Sequence, residues 1–586
     1  MAVAQIIRRK GAVQFRVGFG EDSRRLDPID DVADDLLGAF VEIEEDADAT
    51  RARIRTNDGA PVILAGADTA LAALYLLAVR NGLRVDFPAP VWQEADAWIA
   101  SPGIDDDALV DLTKLPFITI DYERSFDLDQ AMYIEVVSGG HCLYYALADA
   151  AYYVRPGSAL FDEAVHRASS YYLPGLTVPM LPSCLSEGIV SLNEGVDRRA
   201  LVLRIVVDTA GAATSTELIR ARVRSRAKLT YDGVQAFIDD PAASELAGKD
   251  YTETLQLLRT IGEVRIARAE ERDVVKFDRV AAGLRLAGDD ASELSISAEA
   301  RNDVQLWNEQ VSLLCNIEGA RFLRERVDAT TGFAGVFRVH PPPTAEEMDR
   351  LCGAIERLVN TLELDESWLW RRPESLADYV ARLPTDGEGA RLSQALQRQA
   401  MLINVPSYFA TEPAPGHYGI GAAAYSRFSS PMREMVGVVT SHMAFHQLAS
   451  TPISDSGLDR DHVEKIVNGG NHAKKLQKRI TRHANKLALD HLFARDVAAD
   501  AKERPVRVGT VMGVSASKLY VQLDDPPVEV KLYTADLTVS LGGKLDIPSR
   551  FELIAADGRC IRVGDALNVS VDRYDEDRQR WILSPV

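Results

Sequence analysis

Cysteine is scarce. The 586-residue chain carries five, Cys142, Cys184, Cys315, Cys352 and Cys560, scattered and odd in number. No Cys-x-x-Cys pair occurs, which argues against a disulfide framework and against a zinc cluster. Long apolar runs are also missing. A membrane helix needs roughly 18 such residues, and the stretch from Ala70 to Val79 is only about half as long. The N-terminal Met-Ala-Val-Ala-Gln-Ile-Ile-Arg-Arg-Lys lacks the apolar core and small-residue cleavage site of a signal peptide. These absences predict a cytoplasmic chain without membrane contact. Basic charge is in deficit: 66 Lys and Arg against 87 Asp and Glu leave a net −21. Such a balance disfavours blanket binding to nucleic acid, whose phosphates are met chiefly by Lys and Arg. The deficit is uneven, however. Lys474, Lys475, Lys478, Arg479, Arg482 and Lys486 follow one another with no acidic residue between them. Their spacing suits either a solvated helix face or a strip that attracts phosphates.

What is present is ordinary for a folded chain: 46% hydrophobic and 26% charged residues, with length enough for two to four domains. No internal repeat or low-complexity tract is evident. An α+β multidomain fold is expected. Residues 1–100 mix strand-like pieces (Ala12 to Gly18, Ala39 to Ile43, Arg53 to Arg55) with an Ala/Leu-rich helix from an Asp68 N-cap to Asn81-Gly82 and a second helix near 90–100. This is a small α+β module and a candidate winged helix–turn–helix. Residues 101–455 read as strands first (Phe117–Ile120, Ala131–Val137, His141–Leu147, Leu201–Val207) and helices after (Arg220–Ile238, Tyr251–Ala267, Val304–Glu325, Ala345–Leu362), a pattern of α+β domains. Residues 456–500 read as a long helix broken at Asn468-Gly-Gly. Residues 501–586 revert to short alternating strands with Gly and Asp at turns, the signature of a small barrel.

The most informative stretch is Phe117-Ile-Thr-Ile-Asp121, followed by Asp127 and Asp129 and a second strand-like run. Three carboxylates beside buried strands repel one another unless a positive charge lies between them. With oxygen donors and no nearby His or Cys, a hard cation such as Mg2+, or alternatively Mn2+, is the expected answer.

From Thr119-Ile-Asp121-x5-Asp127-x-Asp129 onward the chain resembles the RNB exoribonuclease family typified by ribonuclease II. The resemblance continues through Leu147-Ala-Asp149-Ala-Ala-Tyr-Tyr-Val-Arg-Pro-Gly157-Ser158, Tyr172 to Pro182, Leu185 to Leu192, Glu412 to Gly421 and Tyr425-Ser-Arg-Phe-Ser-Ser430-Pro-Met-Arg433, spanning about 115 to 445. The end of the chain, with Val563-Gly-Asp565 and Val569-Ser-Val571, resembles the S1 RNA-binding barrel, an OB-type fold. The resemblance implies an RNB catalytic domain and processive 3′→5′ hydrolysis of single-stranded RNA to nucleoside 5′-monophosphates. A monomer is expected. Relatives commonly carry two cold-shock barrels before the catalytic domain; about 100 residues are short for two, so a different module is expected here.

The resemblance also assigns roles. Asp121, Asp127 and Asp129 match the metal-binding aspartates, with Asp129 ranked first for chemistry. Gln130 stands where the family has a fourth aspartate, which puts a second metal ion in question. Arg433 matches an arginine aimed at the scissile phosphate, a suitable role for a planar, permanently charged fork. Its neighbour Glu434 replaces a family base and could pair with Arg433. Tyr172 and Phe277 match aromatic residues that clamp bases. Tyr231 matches a tyrosine near the catalytic end. Glu309 matches a ribose-contacting glutamate, a way to favour RNA over DNA; Gln310 follows it in place of a second glutamate. Packing roles compete for Tyr231 and Phe277, and a solvated position competes for Glu309. Tyr520, Tyr533 and Arg507 are candidate RNA contacts on the C-terminal barrel, whose charge is nearly balanced.

Two rival readings accompany the exoribonuclease. Gln130 and Glu434 motivate a catalytically weakened RNA-binding protein that keeps the fold. The N-terminal module motivates a DNA-binding regulator. His442 and His446 stand four apart without a third ligand, and Gly419-x-Gly421 lacks a preceding buried strand, so neither pattern marks a site.

Overall fold

The computed structural model describes residues 2–18, 23–271, 281–288, 290–325, 327–328 and 332–586. The N-terminal segment forms a closed barrel. β1 (Ala2–Arg9) pairs antiparallel with β2 (Ala12–Val17), and β2 with β3 (Arg24–Pro28). β3 runs parallel to β5 (Arg51–Ile54), β5 pairs with β4 (Phe40–Glu45), and β4 returns to β1. Period-two alternation sends Ala4, Ile6, Phe15, Val17, Leu26, Val41, Ile43 and Ala52 inward. Lys10 and Gly11 both take positive φ, 49° and 86°, as a two-residue hairpin turn demands.

This barrel corrects the candidate winged helix–turn–helix expected for residues 1–100. The helices that suggested otherwise, α1 (Ala70–Arg80) and α2 (Ala89–Ala100), serve other neighbours. Ala70, Leu74 and Ala78 of α1 pack into one cluster with Ala473, Leu476, Ile480, Ala484 and Ala488. α2 lies against the helix Ala159–Arg167, where both Glu94 carboxylate oxygens accept from the N–H groups of Ala159 and Leu160 at 2.8 Å. Ser158 caps the same helix by accepting from Phe161 N at 3.1 Å, so three otherwise unpaired N–H groups are satisfied. The cap of α1 is Thr69, which accepts from Ala72 N, rather than Asp68.

The central sheet also closes on itself. Gln130–Val137, Gly140–Ala148, Asp197–Asp208 and Ala213–Thr230 pair successively antiparallel, and Phe117–Asp121 bridges the ends, antiparallel to the first and parallel to the last. The helix expected over 220–238 begins only at Tyr231. Residues 221–229 alternate buried Ala221, Val223, Ser225, Ala227 and Leu229 with partly exposed Arg222, Arg224, Arg226 and Lys228. That is the period of a strand. Helices Thr252–Glu271, Asp303–Arg324 and Ala345–Thr361 form where periodicity predicts them.

The long helix Arg460–Ala498 runs unbroken through Gly469 and Gly470. These glycines permit close approach instead of ending the helix. A Cβ on Gly470 would lie 3.0 Å from Val436 Cγ1 and 3.1 Å from Phe409 Cδ2. Asn471 fixes the same contact through both amide atoms, accepting from Phe409 N at 2.7 Å and donating to Phe409 O at 2.9 Å.

At the C-terminus five strands, Arg507–Ser515, Lys518–Leu523, Glu529–Tyr533, Ala566–Asp575 and Arg580–Pro585, form one sheet in spatial order third, second, first, fourth, fifth. The helix Ala390–Leu402 docks on it. Arg398 pairs with Glu529 at 2.6 Å and stacks over Tyr520, and Gln399 donates to Met512 O. Gly470→Leu is expected to destabilise the protein by about 1–3 kcal/mol through overpacking. Thermal unfolding reads this out, and an unchanged or higher Tm would contradict the close-approach role.

Candidate active site

Asp129 ends the loop that joins Phe117–Asp121 to Gln130–Val137, and it is 2% exposed. Its backbone carbonyl accepts from Ala148 N at 2.8 Å, which ties it to the neighbouring strand. The loop is buttressed by Ser191. That hydroxyl accepts from Leu128 N at 3.0 Å and donates to Phe126 O at 2.7 Å. Ser191 explains why the segment Leu185 to Leu192 belongs with the aspartates, although sequence reasoning gave it no role. Asp149 in the preceding segment has a similar structural duty. It caps the short helix Ala150–Tyr153 and meets Arg199 and Arg220, both at 3.4 Å.

The Asp129 carboxylate is met from the other side of the domain. Oδ1 accepts from Met432 N at 2.8 Å, and Oδ2 receives Arg433 Nε. Burial pushes the Asp129 pKa up to about 6, against the pull of Arg433 and the Met432 bond, while nearby Asp127 adds to the rise. The ion pair in turn raises Arg433 above its ordinary value despite burial. Arg433 keeps 34% of its side chain exposed, so the guanidinium is paired yet reachable.

The segment carrying Arg433 has no regular structure of its own, so hydrogen bonds must fix it. Asn316, fully buried on the helix Asp303–Arg324, does most of this. Its Oδ1 accepts from Phe428 N at 2.8 Å and Ser429 N at 3.0 Å. Its Nδ2 donates to Tyr425 Oη and Ser429 Oγ. Arg433 O accepts from Ser170 N and Ser169 Oγ. Glu434 pairs with Arg427 at 2.6 Å, not with Arg433 as the sequence suggested. Burial pushes Glu434 upward, but Arg427 outweighs this and its pKa is lowered.

The other expected residues have partners of their own. Tyr172 lies on the hairpin strand Tyr171–Leu173, 44% exposed, and donates from its hydroxyl to Asp127 Oδ2 at 3.0 Å. Asp121 accepts from Tyr122 N and Ser125 Oγ within its own loop. Tyr231 accepts from Asn308 Nδ2 at 3.1 Å and meets the Tyr122 ring edge-on. Glu309 lies within the helix Asp303–Arg324 and pairs with Arg301 at 2.6 Å. Gln130 Oε1 accepts from the buried Tyr145 hydroxyl. Phe277 lies outside the described residues. On the C-terminal sheet Arg507 pairs with Asp496 and Tyr533 lies under Arg580. His442 and His446 bond to Val154 O and Thr451 Oγ1 respectively.

The carboxylates of the loop, Asp121, Asp127 and Asp129, are oxygen donors, and this chemistry fits a hard divalent cation; the Gln130 amide oxygen, expected to join them, is instead turned to the Tyr145 hydroxyl. Among the described residues no three His, Cys, Asp or Glu side chains stand in a geometry that would hold a metal ion. Arg433 currently supplies the positive charge at Asp129. Replacing Asn316 with Ala should orphan the buried N–H groups of Phe428 and Ser429, costing about 2–4 kcal/mol. Denaturant unfolding measures this, and a loss below about 1 kcal/mol would show that the segment is held by other means.

Comparison with known proteins places this geometry. Ribonuclease R of Escherichia coli (strain K12) is 27% identical over 481 residues, which cover 80% of this chain and 56% of that protein. The chain thus matches little more than half the length of that relative. Exoribonuclease 2 of Cronobacter sakazakii is 29% identical over 501 residues, covering 84% of this chain and 73% of the relative. Among solved structures, Mycoplasma genitalium RNase R in complex with ribose methylated single-stranded RNA superposes with a TM-score of 0.77 at 19% identity. That match covers 100% of this chain and 89% of the other, and it establishes a shared fold. The RNB domain model matches residues 109–447, more than half of the sequence and every element that carries Asp129 and Arg433, so the chain belongs to the RNB domain family.

Proposed function

We propose that this chain is a hydrolytic 3′→5′ exoribonuclease that degrades single-stranded RNA processively and releases nucleoside 5′-monophosphates. The observation that carries the reading is the Asp129–Arg433 pair: a buried carboxylate held against a guanidinium that is still partly open to a cavity. A guanidinium so placed can turn two N–H groups onto a phosphate and remain charged out of water. The names of the relatives, Ribonuclease R and Exoribonuclease 2, support the same chemistry.

In this reading Arg433 exchanges Asp129 for the scissile phosphate when RNA arrives. Asp129 is thereby released and, with Asp121 and Asp127, offers oxygen ligands to Mg2+ or Mn2+. The bound ion would activate water and offset charge developing on the phosphate. Gln130, turned to Tyr145, supports the loop from behind. Tyr172 presents an exposed ring beside Asp127 for a terminal base, a sequence-tolerant contact worth about 1–3 kcal/mol. In the same reading Tyr231 would serve the catalytic end of the strand and Glu309 a ribose hydroxyl. The N-terminal barrel and the C-terminal five-strand sheet, the latter resembling S1, flank the RNB domain and would hold the incoming strand. The proposed layout keeps 101–455 as catalytic domain, 456–500 as its helical extension and 501–586 as the S1-type barrel.

The test is release of mononucleotides from labelled single-stranded RNA in Mg2+. Asp129→Asn is expected to lower the rate by about 10²-fold or more, on the scale of removing one transition-state partner. Chelation should abolish release and added Mg2+ restore it. RNA binding without nucleotide release by the wild-type protein would instead favour the weakened, binding-only form.

A further inference from the structure

A cavity of about 370 Å3 opens beside Arg433, between the Arg433 segment, the Tyr172 hairpin and the long helix. Its charges do not balance. Arg433 is matched by Asp129 and Arg427 by Glu434. Lys474 and Lys478 also line it, and neither makes an ion pair among the described residues. Just behind the wall stands a third such cation. Arg338 donates from Nε to Ser407 Oγ at 3.2 Å, and Lys474 Nζ reaches the same Oγ at 2.9 Å and Ser407 O at 2.8 Å. Two cations thus share one hydroxyl. Burial, and then repulsion from Arg338, drags the Lys474 pKa down to about 7. A half-buried site that gathers cations at such a cost is relieved by an anion.

The long helix shows where the anion comes from. Lys474, Lys478, Arg482 and Lys486 recur every four residues, so they form one ridge that winds slowly round the helix. Lys478, Arg482 and Lys486 line a second cavity, of about 830 Å3, between this helix and the C-terminal strands. Lys478 borders both cavities. Exposed Lys475 and Arg479, in the same basic run, line neither. The stripe therefore connects a groove at the C-terminal barrel with the space beside Arg433.

We propose that the stripe Lys474–Lys478–Arg482–Lys486 is a phosphate track for a single RNA strand, and that the cavity beside Arg433 seats the phosphodiester next to the scissile one on Lys474. Glu434 acts through Arg427, holding that guanidinium on the cavity wall as a positioning residue. The inference rests on the exoribonuclease reading for the identity of the strand, but the seat is tested by binding alone.

Lys474→Met and Lys475→Met differ by one residue and point to different faces. Equilibrium binding of a single-stranded oligoribonucleotide is measured without divalent ion across a salt series. Lys474→Met should bind about tenfold more weakly, and its log–log salt slope should fall by about 0.7, the value for one phosphate lost on a single strand. Lys475→Met should match wild type. Equal behaviour of the two variants overturns the proposal. If Lys474→Met fails to fold, as judged by thermal melting, exposed Lys478→Met provides the same comparison. A nucleoside 5′-monophosphate serves as competitor in a second arm. If Lys474→Met weakens the monophosphate but leaves oligonucleotide binding intact, the cavity belongs to product and the track is refuted. Wild-type binding with the expected slope but no nucleotide release would instead remove the exoribonuclease reading and leave the track standing.

Discussion

A carboxylate taken out of water must find positive charge or hydrogen-bond donors, and Asp129 obtains both from a segment some 300 residues away. Everything around the site serves that meeting. The closed central sheet presents the aspartate loop at one edge, and Ser191 pins it. Asn316 and the Ser169–Ser170 pair hold an otherwise irregular segment so that Met432 N and Arg433 arrive together. The pair is strong enough to order the site, yet its guanidinium stays partly open. That combination is what the proposed exchange for a phosphate requires.

The same logic separates two arginine–carboxylate pairs that lie close in sequence. Arg433–Asp129 joins distant parts of the fold across the proposed reaction centre. Arg427–Glu434 closes within one segment, which neutralises Glu434 and frees Arg433 for Asp129. An acidic residue beside the phosphate-facing arginine looked damaging in sequence. In the fold it is absorbed by a partner seven residues upstream.

Much of the architecture was legible because periodicity is local. The strands of the N-terminal and C-terminal segments and the helices beginning at Thr252, Asp303 and Ala345 follow their apolar spacing. What local pattern could not show was closure and docking. The winged-helix expectation arose because α1 is Ala/Leu-rich between strands, whereas its apolar stripe matches that of the long helix. The Arg/Ala composition near 220–230 resembled a helix, but its period is two. Gly469-Gly470 looked like a break and is a contact. At the site, the clustered aspartates and Arg433 could be found from chemistry and resemblance. Asn316, Ser191, Arg338 and the Arg427–Glu434 pair could not, because their roles depend on hydrogen bonds between segments far apart in sequence.

The central claim is directional: the pair between Asp129 and Arg433 yields to the phosphate at the 3′ end of a strand. Parallel digestion of the same RNA labelled at its 5′ or its 3′ end in Mg2+ tests it most directly. The account predicts labelled mononucleotide at the earliest times from the 3′-labelled strand, while the 5′ label passes from full-length RNA to a short end product with few intermediates. Early release of the 5′ label as mononucleotide, or internal fragments from either strand, would contradict it.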